Sequence, residues 1–140
     1  MNKILLAALL LLAPVLPAMA GKLPVVLLEH LDNEVLALSI DEAELARLPA
    51  WQPGQGPVPL TIDQVVTSVR NWALRLHPDY DDLRFLEILL KPIESPRYGT
   101  RWHYLVVIQG LKDGEVISRK HFLAVLFDGQ IIHGVIEPKV

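Results

Sequence analysis

Two Asp-Gly pairs, Asp113-Gly114 and Asp128-Gly129, interrupt an otherwise apolar-rich stretch from Arg101 to Pro138. Asp-Gly between alternating apolar runs is a strong short-range signal for a β-hairpin, because the central residues of a type I′ turn need positive φ. The stretch is therefore read as three antiparallel strands. A two-residue loop at Asp113-Gly114 puts Lys112 opposite Glu115, and then Ile108 opposite Arg119, Val106 opposite His121 and Tyr104 opposite Leu123. A two-residue loop at Asp128-Gly129 puts Val125 opposite Ile132 and Ala124 opposite His133.

The two-residue period of a strand sorts these side chains onto two faces. Trp102, Tyr104, Val106, Ile108, Leu123, Val125, Phe127, Ile132 and Ile136 make the more apolar face, the expected core. The second face mixes His103, Leu105, Val107, Gln109, Lys120, Phe122, Ala124, Leu126, Ile131, His133 and Val135. This assignment depends on the turns, since a slip of one residue exchanges the faces.

Upstream, Thr61 to His77 reads as an amphipathic helix. Thr61 and Gln64 form a capping box, and Ile62, Val65, Val66, Val69, Trp72, Ala73 and Leu76 recur at helical spacing before Pro78. Arg84 to Lys91 reads as a strand ahead of the meander. Nearer the N-terminus, Leu23–His30 and Glu34–Ile40 read as short strands around Asp32-Asn33, and Asp41–Leu48 as a short helix capped by Ser39 or Asp41. The Pro/Gly-rich segment Trp51–Pro59 is a connector whose Trp51 packs back on the domain. The expected fold class is α+β: one long amphipathic helix packed on an antiparallel four-stranded meander, with a small N-terminal strand/helix addition. Residues 21–58 and 59–140 are expected to form a single domain.

Met1 to Ala20 reads as a secretory signal peptide, with Lys3, an apolar run Ile4–Leu12 and the small-residue site Ala18-Met19-Ala20. The expected location is the periplasm. No cysteine is present, so neither disulfides nor a lipidated cysteine support the fold. The formal charge of -3 and the lack of a basic cluster give nucleic-acid binding no electrostatic basis. No second apolar run is long enough to span a membrane.

The helix Leu60–Leu76, the His77-Pro78-Asp79 helix end, the Trp102-His103-Tyr104 strand and the strand ends Leu126-Phe127-Asp128-Gly129 and Gln130-Ile131-Ile132 together resemble the PepSY domain. Behind it stands the broader cystatin-like group. The resemblance covers Pro59 to about Ile136 and implies a non-enzymatic module that binds or restrains partners in the cell envelope. Cystatin inhibitors carry a Gln-x-Val-x-Gly hairpin loop, which Gln109-Gly110 does not match.

No phosphate loop, His-Glu-x-x-His or Gly-x-Ser-x-Gly motif occurs. No catalytic residue, cofactor or metal is assigned. The expected binding surface is the second sheet face, represented by His103, Leu105, Val107, Lys120, Phe122, Ile131 and His133, because an exposed apolar patch rimmed by polar groups marks a partner surface. The expected partner is a periplasmic or envelope protein, and self-association through the same face is the alternative. A small metal or acid-base site is the third reading: His103 and His133 would lean together over Ala124, with His121 on the opposite face and His77 a helix-end residue.

Overall fold

A computed structural model of the chain describes residues 25–30 and 33–138. The proposed signal peptide lies outside the described residues. Strands β1 (Val25–His30) and β2 (Glu34–Ile40) lead to helix α1 (Glu42–Arg47). Helix α2 (Ile62–Leu76) follows, then β3 (Asp82–Ser95), β4 (Gly99–Lys112), β5 (Glu115–Val116), β6 (His121–Leu126), β7 (Ile131–His133) and β8 (Val135–Pro138).

The expected architecture, one long helix on a four-stranded meander with a small addition, is corrected. Strand dominates the described chain, the two helices are short, and there are two sheets. One has the order β3-β4-β6-β7, with β5 paired to β4; the other has the order β1-β2-β8. The N-terminal strands are thus no appendage, since the last strand of the described chain pairs with β2: Leu36 lies opposite Ile136 and Ala37 opposite Val135.

The larger sheet is buried on both faces. On one, Val65, Val69 and Ala73 of α2 pack with Tyr104, Val106, Ile108, Leu123, Val125 and Phe127. Thr61 and Gln64 start α2 with the expected capping box. On the other face, Leu36 and Leu38 of β2 pack with Leu105, Val107, Phe122 and Ala124. Ile40, with Leu45 and Leu48 of the α1 region, packs with Ile93 and Leu126. Leu36, Leu38 and Ile40 recur at the strand period, so a single face of β2 supplies all three. Each such side chain contributes about 1.5–3 kcal/mol when removed from water. The second face is therefore a core face: Leu105 and Val107 are each 4 % exposed and Phe122 is 8 % exposed.

Three local irregularities set the register. Asp113-Gly114 forms the expected two-residue turn, with φ of 52° and 81°, and Lys112 pairs with Glu115. Beyond it the ladder is broken, because the Ser118 hydroxyl accepts the Gly110 N–H at 2.7 Å. The pairing resumes two residues later, with Ile108 opposite His121 and Tyr104 opposite Val125. An even shift keeps every side chain of β6 on its expected face. In β3, Leu86 is an extra residue between the Phe85–Ile108 and Glu87–Val107 pairs. This bulge lets both Phe85 and Ile88 pack on the helix side.

The third irregularity changes a face. Phe127-Asp128-Gly129 is a three-residue loop, closed by bonds from Gly129 N–H to Leu126 C=O (2.8 Å) and from Leu126 N–H to Gln130 C=O (2.9 Å). Gly129 has φ of 89°, the left-handed position of a type I turn followed by a bulge. His133 therefore pairs with Leu123, Ile132 with Ala124 and Ile131 with Val125. The odd shift exchanges the faces of β7. Ile131 turns to the helix side, where it packs on that core, and Ile132 turns to the second face.

If β2 closes the second face, Leu36→Ala should destabilise the protein by about 2–5 kcal/mol. Urea unfolding measures this; a change below 1 kcal/mol would show that the face is not packed as described.

Candidate functional site

The seven residues expected to form one binding face do not lie on a common surface. Leu105, Val107 and Phe122 are under β2, and His103 is 3 % exposed. Ile131 lies on the helix side and Lys120 is exposed in the approach to β6. The expected meeting of His103 and His133 over Ala124 is corrected by the loop at Gly129: His133 pairs with Leu123, and Ile132 takes the place opposite Ala124.

What the structure assembles instead is a histidine cluster just beyond the C-terminal end of α2. His77 caps that helix, its backbone N–H donating to Ala73 C=O. Pro78 ends the helix, and the turn that follows brings the Tyr80 ring to stack on His77, with centroids 4.6 Å apart. Tyr80 Oη and His121 Nε2 share a hydrogen bond of 2.9 Å. The His121 ring lies 5.1 Å from His77 and 5.5 Å from His133. Trp72 of α2 closes the far side, edge-on to His133 at 5.7 Å. Gly110 makes room for this arrangement: any β-carbon there would collide with the Tyr80 ring.

The pKa values of both strand histidines are lowered. For His121 the causes are burial first, then His133, His77 and Arg119; for His133 they are burial, then His77. Burial and the neighbouring charges thus favour the neutral form of both rings. Two imidazolium charges about 5 Å apart would repel by roughly 1–3 kcal/mol, with solvent at the exposed His133 pulling toward the lower figure. Among the described residues no group of three His, Cys, Asp or Glu converges on a metal position.

Beside the cluster, a groove of about 1130 Å³ opens at the end of the space between the two sheets. Its floor includes Val107 and Phe122, which with Glu87 form one lateral row across β3, β4 and β6. Glu34, Ile136 and Pro138 of the smaller sheet form one wall. Arg119, Lys120, His121 and His133 form the other. The groove thus reaches both faces of the large sheet at the start of β6, just beyond the bond from Gly134 N–H to Phe122 C=O (2.8 Å). Of the expected surface residues it keeps Lys120, His133, Val107 and Phe122.

His77, Tyr80, Arg119, His121, Glu34 and Glu87 were not expected as site residues. His121 and the helix-end His77 were legible on the helix side. Reading Phe127-Asp128-Gly129 as a three-residue loop would have added His133 to them. Glu34 depended on a pairing between distant parts of the chain. No family model, curated protein or solved structure matches the chain.

Stability should depend on pH through the cluster. Both histidine pKa values are lower folded than unfolded, so the unfolded chain binds protons first as pH falls below about 6.5. The stabilisation is complete above that pH and is lost as pH falls through the folded pKa values. Denaturant titrations of the wild type and of His121→Gln/His133→Gln should show a shallower acid loss in the variant; parallel curves would contradict the assignment. Gly110→Ala should cost about 1–3 kcal/mol by displacing Tyr80, with a shift of the His121 ring resonances in NMR.

Proposed function

We propose that this chain is an exported, non-enzymatic binding module that engages a periplasmic or envelope partner through the groove at the start of β6. The observation that carries this reading is the groove itself. It sets unpaired cations, two imidazoles and two carboxylates around a small apolar floor, in an opening large enough to admit part of another molecule. Arg119 and Lys120 form no ion pair among the described residues, so their charge is open to a ligand. The Lys3 and Ala18-Met19-Ala20 features support export. The described residues contain no helix long and apolar enough to cross a membrane. In this reading the chain acts by contact, as the PepSY resemblance implies, and the recognition surface is the groove rather than an open sheet face.

A photoreactive residue at Lys120 tests the reading in cells, with a control at Arg70, which is paired with Asp82 on the outer side of α2 at 3.5 Å. A discrete adduct from Lys120 alone is the expected result. Adducts from both positions, or from neither, would remove the groove as the recognition surface. An adduct of twice the monomer mass would replace the envelope partner with a second copy of this chain.

A further inference from the structure

We propose that the groove takes a small dianionic group, a phosphate monoester or a compact dicarboxylate, and that it does so with an affinity that rises as pH falls. This deepens the binding reading above and rests on it. The fold brings charges of both signs to the groove. Among its described lining residues, Arg119 and Lys120 supply two positive charges, and Glu34 and Glu87 supply two negative charges. With neutral imidazoles these balance. Protonating His121 and His133 leaves two positive charges in excess, on the same wall as Arg119 and Lys120.

The imidazoles are crowded. His121 faces His133, His77 and Arg119, and its ring is tied to Tyr80 of the turn after α2. His133 faces His77 and Trp72 of α2. Two nearby carboxylates are engaged elsewhere. Asp81 accepts the Asp113 N–H at 2.7 Å, and Asp82 pairs with Arg70. The cluster therefore gains charge against its own repulsion. An anion placed between the imidazoles and Arg119–Lys120 removes that repulsion, so binding raises both histidine pKa values and takes up protons. Proton uptake on binding requires affinity to increase toward acid pH. Glu34 and Glu87 repel the same anion when the histidines are neutral, which weakens binding at neutral pH.

Sulfate is the probe, because its charge is constant across the range. Titration calorimetry and histidine-ring NMR at fixed ionic strength, at pH 7.5 and 5.5, should show binding about tenfold or more tighter at the lower pH. Lys120→Gln, at an exposed site, should weaken it at both pH values. His121→Gln/His133→Gln should abolish the pH dependence, and Glu87→Gln should strengthen binding at pH 7.5. Displacement by methyl phosphate or by oxalate at pH 7, where both are largely dianions, tells which dianion the groove prefers. Equal affinity at the two pH values, or sulfate binding unaltered in Lys120→Gln, would overturn the proposal. If Lys120 gives its crosslinked adduct and sulfate does not bind, the dianion proposal falls and the groove as a recognition surface stands.

Discussion

The structure depends on burying both faces of β4 and β6. Their sequences carry apolar residues at successive positions, Tyr104 to Ile108 and Phe122 to Phe127, and no single covering layer can remove both sets from water. α2 supplies one layer and the sheet of β1, β2 and β8 the other. Near-continuous apolar runs mark strands buried on both sides, whereas a sheet with one wet face alternates. The long-range closure by β2 and β8 follows from that demand: at Gly134 the chain leaves the larger sheet, and its last described strand completes the smaller one.

The site depends on the odd residue count of one loop. Phe127-Asp128-Gly129 holds three residues, and the one-residue difference from a two-residue turn moves His133 from the second face to the helix side. There it meets His121, also on the helix side, and His77, which α2 carries at its end. The two-residue shift at Ser118 leaves faces unchanged, so its effect is confined to which neighbours pair. Parity, more than distance along the strand, decides which side chains share a surface.

The groove follows from where the layers stop. β7 is three residues long and ends opposite Leu123, and a last bond from Gly134 N–H to Phe122 C=O closes its contact with β6. The groove forms there, with Glu34 and Pro138, a described pair of the smaller sheet, along its other wall. Cations at Arg119 and Lys120 sit in the irregular approach to β6, which the Ser118 bond holds out of the ladder. Charge and imidazole are thus gathered at a seam between two cores, the place where polar groups keep solvent while staying ordered.

Much of the local structure was legible in the residues themselves. The Thr61–Gln64 cap, the stripe on α2, the Asp113-Gly114 turn and the faces of β4 and β6 all rest on interactions within a few residues. Sequence alone determined those elements because caps, turns and periodicity are short-range effects. The partner of β2, the cover over Leu105, Val107 and Phe122, and the meeting of His77, His121 and His133 were decided only by the tertiary structure. Each of these joins segments far apart in the chain. The place of His133 in that meeting also turns on loop geometry that the same dipeptide, Asp-Gly, supports in two forms of opposite parity.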